Sequence, residues 1–386
     1  MGPARLARQP ALGLAGITLV IPVMVVLAIG YGGPERSLLV LGPMSTFALP
    51  AIAMIAFWWN DWPGTILRPP LTGLLDTLLV ALAGVLFTIL GQAIVLHLDL
   101  RGVFDPDAGP AHAAIFPDTM PPAGAVFVAM LEITLVSERW PLRGANRFAG
   151  GVAAVALAWI VAIVLWEALV ARAGAVSPGD FAGALTCIGT LQVLFYVVYQ
   201  GRPFRSVRSF APRLFLANAT VVVGGVAAYL LPRACGAAPA AVAAVAGSTI
   251  AAGLVVGMLF EGWLDALMPP PRARLAALLT VAGLAAVLYL ALKGYAEAIR
   301  FVRAEPEEWI AYVGLNAIGA GVILHVAIGH RWPFGGSERR GSRSARPRRR
   351  ARRLSARRTR AGRSARRAPG GGRSGSSPGP ASGRSR

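Results

Sequence analysis

Residues 149–171 read AGGVAAVALAWIVAIVLWEALVA, with a single ionisable side chain, Glu167, in the whole stretch. A helix rises about 1.5 Å per residue, so roughly 20 such residues cross the roughly 30 Å hydrocarbon core of a bilayer. In lipid there is no water to bond the backbone, and a helix pairs its N–H and C=O groups within one segment. This stretch therefore predicts a transmembrane helix.

The same apolar character recurs along the chain. The 386 residues are 55% apolar and 15% charged, with a mean hydropathy of +0.59, whereas roughly 25% of residues are charged in an average soluble domain. Ten windows have the composition of a span: about 11–30, 37–59, 73–97, 121–137, 149–171, 181–200, 213–232, 239–264, 273–292 and 309–329. The sequence thus predicts an all-α, polytopic integral membrane helical bundle over residues 1–334 and excludes an ordinary soluble protein.

Residues 335–386 have a different composition. They hold 18 Arg and one Glu among mostly Ser, Gly, Ala and Pro, and account for +17 of the net charge of +20. Such a segment cannot bury enough apolar surface to offset its ordering entropy, so we predict a disordered, Arg-rich cytoplasmic tail. Anionic inner-leaflet lipid attracts such a tail by about 1 kcal/mol per basic residue near the surface. Nucleic acid is a less favoured partner, because no aromatic side chains are interleaved for base stacking.

The distribution of basic residues predicts an orientation. With ten spans and both termini in the cytoplasm, the inner loops before the tail carry twelve Arg and the outer loops carry seven basic residues. Cytoplasmic loops carry the excess of Lys and Arg. We therefore expect a multi-pass protein of the plasma (cytoplasmic) membrane with both termini in the cytoplasm. Of the 38 basic residues 37 are Arg, which is typical of GC-rich coding and indicates a bacterial source.

A four-residue pattern recurs at the predicted cytoplasmic ends of the even-numbered spans. The five turns are Asn60-Asp61-Trp62-Pro63, Glu138-Arg139-Trp140-Pro141, Gln200-Gly201-Arg202-Pro203, Glu261-Gly262-Trp263-Leu264 and His330-Arg331-Trp332-Pro333. The recurrence predicts loosely repeated helical hairpins. Trp at the headgroup level and Pro at a helix end account for the pattern without a functional role. The alternative is a partner-binding surface that includes Trp62, Trp140, Trp263 and Trp332.

Four ionisable residues fall at membrane depth: Asp76, Glu132, Glu167 and His325. A charge in hydrocarbon costs roughly 2.5–3.5 kcal/mol on insertion scales, so each needs a partner, a water-filled cavity or a proton. We interpret the four as candidates for an intramembrane path for protons or ions, with Glu132 foremost. The alternative is that each lies close enough to an interface to snorkel or to cap a neighbouring helix.

The loop between the third and fourth spans concentrates His and carboxylate side chains. His97, Asp99, Asp105, Asp107 and His112 are ligand types that zinc and copper accept. Their spacing matches no specific metal motif, and Asp-Pro-Asp is common in turns. They are weak metal candidates, and no cofactor is predicted.

No sequence motif names a substrate or a reaction, since the chain has no P-loop, no G-x-S-x-G and no H-E-x-x-H. The first hypothesis is a transporter or permease for a small molecule or ion, with proton coupling as one form of it. The second is a non-catalytic membrane scaffold that binds a partner through the Trp-Pro turns and the basic tail. The third and less favoured is a membrane-embedded enzyme that uses the His/Asp loop.

Overall fold

A computed structural model describes residues 8–68 and 70–335, and within these ranges the chain is helical with no strand. Nine of the described helices are long and apolar enough to cross a membrane, and one further apolar helix is shorter. The ten are α1 (Ala11–Ile29), α2 (Pro34–Trp59), α3 (Leu71–Val95), α4 (Met120–Val136), α5 (Arg147–Ala171), α6 (Pro178–Val198), α7 (Phe210–Ala234), α8 (Pro239–Leu259), α9 (Pro270–Glu297) and α10 (Pro306–Ile328). The predicted all-α polytopic bundle is confirmed. The predicted disordered tail lies outside the described residues from residue 336 onward.

The fourth span is short, and Pro121 and Pro122 stand at its start. It has 12 α-helical residues and 5 π-helical residues, at the lower limit of the roughly 17–25 residues of transmembrane helices. The preceding loop, residues 96–119, contains the short helix Leu100–Phe104.

The even-numbered helices form a closed inner ring. Neighbours contact one another in the order α2, α4, α6, α8, α10 and back to α2. In the most apolar window of α2, α6, α8 and α10, 56–72% of the residues are buried, against 11–39% for the odd-numbered helices. Ten apolar helices have therefore sorted into an inner and an outer layer.

Four of the five outer helices pack on the inner helix that precedes them in the chain. α3 packs on α2, α5 on α4, α7 on α6 and α9 on α8, while α1 packs on α10 and completes the fifth pair. Arg8 Nη2 donates to Phe334 O at 2.7 Å beside this last pair. The outward face of α3 carries a row of leucines at four-residue spacing, Leu74, Leu78, Leu82 and Leu86, each more than half exposed. The outer layer thus presents apolar side chains to lipid, and the molecule is a multi-pass membrane protein in contact with the bilayer.

The five repeated turns have a common backbone structure. Every inner helix ends in a π-helical segment: Met54–Trp59, Glu132–Val136, Val193–Val198, Val255–Leu259 and Leu324–Ile328. In four of the four-residue turns the first two residues have positive φ, and in the turn after α8 Gly262 has it. In those four turns the second N–H donates to the carbonyl six residues earlier, as from Arg139 to Ile133 at 2.8 Å and from Arg331 to His325 at 2.8 Å. We call this end of the bundle the Trp face, and the end with residues 96–119 the opposite face.

Candidate functional site

The inner ring encloses a cavity of about 120 Å³ that is lined by all five even-numbered helices. For comparison, an apolar cavity of about 150 Å³ inside a protein binds benzene. The space therefore suits a molecule of a few non-hydrogen atoms. We call it the central cavity.

The residues that line the central cavity occupy equivalent positions in the five inner helices. One layer is formed by the residues that stand 14 positions before the first residue of each turn. These residues are polar or glycine, and we call them the polar layer: Thr46, Gly124, Thr186, Gly247 and Asn316. Eleven residues before the first residue of the turn lies a second layer, Leu49, Phe127, Gly189, Ile250 and Gly319. At the position three residues before the first residue of the turn, four of the helices contribute a large apolar side chain: Phe57, Leu135, Val197 and Met258. These spacings keep one face of each helix on the cavity.

The polar layer offers hydrogen-bonding groups to the cavity. Asn316 Nδ2 donates to Thr46 Oγ1 and to Tyr312 O, both at 2.7 Å. Asn316 Oδ1 and the Tyr312 hydroxyl form no hydrogen bond with another residue in 8–68 and 70–335. Ligand pockets are typically apolar with a few placed polar groups, and the central cavity has this character.

Glu132 lies in the wall between α4 and α6. Its Oε2 accepts a hydrogen bond from Gln192 Nε2 at 2.6 Å, and the same amide donates to Val128 O at 3.0 Å. Glu132 does not itself line the central cavity, but Leu131 and Leu135 on either side of it do.

Asp76 lies fully buried at the start of α3, where it holds the turn that follows α2. Its Oδ1 accepts from the Gly64 N–H at 2.8 Å. A β-carbon on Gly64 would lie 2.2 Å from Asp76 Oδ2. The structure thus places this carboxylate against a backbone turn at the Trp face.

His325 and Glu167 occupy two further separate places. His325 of α10 lies against α1, since a β-carbon on Gly16 would be 3.1 Å from its Nε2. Glu167 forms an ion pair with Arg172 at 2.9 Å near the opposite face. None of the four predicted path residues is among the described side chains that line the central cavity.

The loop of residues 96–119 is organised by Gln92 and Asp99. Gln92 Nε2 donates to Asp99 O at 3.0 Å and to Ala113 O at 2.6 Å. The Asp99 carboxylate accepts from the N–H groups of Ala113, Gly102 and Arg101 and lies 2.9 Å from His112 Nδ1. These hydrogen bonds, that from Ala113 above all, lower the pKa of Asp99 to about 2.

The other loop residues point to different partners. Asp107 pairs with Arg36 at 2.5 Å and Arg303 at 2.8 Å, and Asp105 lies 3.3 Å from Arg101. The structure thus brings Asp99 and His112 together but directs two of the predicted metal ligands to arginines. In the described part of the chain no three His, Cys, Asp or Glu side chains converge to hold a metal ion.

The tryptophans of the turns differ in exposure. Trp62 packs against Phe148 with ring centroids 4.8 Å apart, and Trp263 packs against Phe260 at 5.8 Å. Trp140 and Trp332 are 53% and 49% exposed. Only two of the four candidate partner-binding tryptophans are therefore largely accessible.

The second residue of a turn reaches across to a neighbouring inner helix. Arg139 donates to Phe57 O in α2 and lies over the Trp58 ring at 5.0 Å. Arg331 is buried and donates to the carbonyls of Leu259, at 2.9 Å, and Met258 at the end of α8. Sequence reasoning missed these contacts, although the arginines stand at the same position in two of the repeated turns.

Comparison of the chain with protein-family models, curated proteins and solved structures gives no match. The geometry of the central cavity and its wall is therefore the basis for a functional assignment.

Proposed function

We propose that this membrane protein is a transporter or permease for a small solute, and that the solute binds in the central cavity. One observation carries the proposal: all five inner helices contribute to the cavity at the same distance from their turns. Transporters built from structural repeats commonly bind their substrate near the bilayer midplane, where the repeats meet. In this protein the polar layer takes one residue from the same position of each repeated hairpin, and it is the place in the cavity where the repeats meet.

The lining defines the chemistry of the solute. Asn316 Oδ1 accepts a hydrogen bond, the Tyr312 hydroxyl donates or accepts one, and leucine, isoleucine, valine, methionine and phenylalanine side chains form most of the remaining wall. The lining contains no charged side chain. A small solute with one hydrogen-bonding end and an apolar body fits this arrangement.

Cysteine accessibility tests whether the cavity opens to water. Gly124 is suited to this test because a β-carbon there would meet no heavy atom within 4 Å. In a background with Cys187 and Cys235 replaced by Ser, we expect Gly124→Cys to react with a membrane-impermeant thiol reagent from at least one side. The matched control is Gly283→Cys in α9, which is equally unobstructed but exposed on the outer layer. Protection of Gly124→Cys from both sides would overturn the proposal.

Solute flux tests the same cavity in function. We expect proteoliposomes that contain the full chain to admit urea, glycerol or acetamide faster than protein-free liposomes in a light-scattering assay. Gly124→Leu should abolish the difference because the larger side chain fills the cavity, whereas Gly283→Leu should preserve it. Both substitutions replace a helical glycine with leucine, so their effects on helix propensity are matched. Equal flux through the two variants would contradict the assignment of the site.

Partner binding at the Trp face is a second candidate function, favoured by the exposure of Trp140 and Trp332. A scaffold of this kind would bind its partner through these rings and the basic tail. Trp140→Ala with Trp332→Ala should then release a co-purifying partner, while Trp62→Ala, whose ring is packed, should retain it. A scaffold would also tolerate Gly124→Leu, which separates the two candidate functions.

A further inference from the structure

A carboxyl and a carboxamide join α4 to α6 in the interior of the bundle. Gln192 Nε2 donates to Glu132 Oε2 at 2.6 Å, while Glu132 Oε1 and Gln192 Oε1 are buried without a hydrogen-bond partner in the described residues. Both atoms are acceptors. A buried acceptor left unsatisfied costs roughly 1–3 kcal/mol, so this pair lacks a donor.

No basic side chain supplies that donor. In the turn after α4 and at the start of α7 two opposite charges satisfy each other, since Arg213 Nε pairs with Glu138 at 2.7 Å. Within residues 8–68 and 70–335 no Arg, Lys or His forms an ion pair with Glu132. A buried carboxylate without a cation is expensive in lipid.

The other elements packed around Glu132 bring one titratable group close to it. On α6 the Tyr196 hydroxyl donates to Val136 O at 3.4 Å. The titratable side chains of α5, Arg147 and Glu167, lie at its two ends, and α8 has none. The neighbouring Asn218 of α7 is neutral and accepts a hydrogen bond from Ser137 at 3.0 Å.

A polar pocket of about 600 Å³ leads from the Trp face towards this pair, between the ends of α4 and α6. Its lining includes Thr134, Leu135, Glu138, Tyr196, Arg205 and Arg213. Thr134 and Leu135 lie within one helical turn of Glu132, and Tyr196 lies one turn from Gln192. Leu135 also lines the central cavity. Residues next to the pair thus line both the polar pocket and the central cavity.

We infer that Glu132 and Gln192 form a proton-binding site in the wall of the central cavity, loaded through the polar pocket from the Trp face. A proton from water in the pocket bonds to the Glu132 carboxylate and gives a neutral carboxyl; its release reverses this step, and no other bond changes. The new O–H is the donor that the two unsatisfied oxygens lack. The role of this site in coupling rests on the proposed transport function, whereas proton binding itself does not.

Carbodiimide labelling tests the site without a known solute. Dicyclohexylcarbodiimide reacts with protonated carboxyls in apolar surroundings, and mass spectrometry locates the adduct. In the full chain reconstituted in phosphatidylcholine liposomes, we expect an adduct on Glu132 whose yield falls as the pH rises. Glu132→Gln should lose it, whereas Glu167→Gln, which alters the exposed pair with Arg172, should retain it. Gln192→Leu should move the pH midpoint of labelling, while Gln92→Leu, which removes a buried carboxamide of α3 near the opposite face, should not.

Three results would overturn the inference: no adduct on Glu132 in monodisperse parent protein, an adduct whose yield does not change with pH, or an adduct blocked by Na⁺ alone, which would assign a metal cation instead. The outcome is independent of the cavity test. If Glu132 is labelled but Gly124→Cys is protected, the proton site stands and the central transport path is refuted. If Gly124→Cys reacts but Glu132 is not labelled, the transport path stands and the proton site is refuted.

Discussion

Gly64 shows at the residue scale how closely one turn is built around a buried carboxylate. Asp76 Oδ2 and Thr72 O occupy the space that a β-carbon on Gly64 would need, at 2.2 and 2.4 Å. We expect Gly64→Ala to lower the unfolding free energy by about 1–3 kcal/mol, the usual cost of overpacking. Gly144, in the corresponding short helix after α4, has no heavy atom within 4 Å of its β-carbon position.

Thermal unfolding in detergent measures this difference. Gly144→Ala should leave the midpoint nearly unchanged, because the substitution there is unobstructed. An equal loss of stability in both variants would show that the contact with Asp76 does not set the requirement for glycine at residue 64.

Asp99 makes the loop of residues 96–119 sensitive to acid. Its folded pKa is lowered to about 2 from the ordinary 3.8, so its stabilising contribution is complete above about pH 4 and is lost as the pH falls through about 2. Pepsin, which works in this range, should cleave within 96–119 more readily at pH 2 than at pH 4. Asp99→Asn should be cleaved readily at both values, and Asp118→Asn should behave as the parent. Equal cleavage of the parent at the two values would refute the role of Asp99.

The sequence shows which single residues are candidates for a site, but it does not show all of their partners. Four ionisable residues at membrane depth are readable in the chain, and Glu132 lies beside the residues that line the central cavity. The partner of Asp76 is a backbone N–H, and a backbone group leaves no signal in the sequence. Gln92 and Gln192, by contrast, are visible in the sequence as carboxamides within apolar spans. A buried carboxamide requires hydrogen-bond partners, so these two residues indicate polar contacts.

At the scale of elements, the turns connect the inner helices as well as ending them. Arg331 is 3% exposed, and its guanidinium satisfies two carbonyls at the π-helical end of α8. Hydrogen bonds to charged groups contribute about 1.5–3 kcal/mol, so we expect Arg331→Gln to lower the unfolding free energy by about that amount. Arg208→Gln, in the exposed loop before α7, is the matched control. Thermal midpoints that fall equally would show that the loss reflects charge alone.

The order of the elements was predictable, but their sorting into two layers was not. Nine described spans and the shorter α4 fall within a few residues of the predicted windows, because length and hydropathy alone fix them. Inner and outer helices are similarly apolar, so periodicity does not separate them. The repeated turns do indicate the cavity lining in the sequence, since the layers of the central cavity lie at fixed distances before Asn60, Glu138, Gln200, Glu261 and His330.

At the scale of the molecule, Cys235 reports the orientation of the bundle. It is exposed at the opposite face, between α7 and α8, while Cys187 is buried. We propose that the Trp face is cytoplasmic, so an impermeant maleimide should label Cys235 in intact cells, and Cys235→Ser should remove the label. Labelling only after the cells are opened would reverse the orientation.

The pairing of α1 with α10 imposes an order on biogenesis. Of the ten helices, α1 is made first, and the helix on which it packs is made last. Until then Gly16 and Val20, buried in the finished protein, face lipid or an insertase, and the ring of inner helices has a gap where α10 will stand. We therefore expect that in a nascent chain arrested before residue 306 the central cavity is open to the bilayer, and that insertion of α10 closes it.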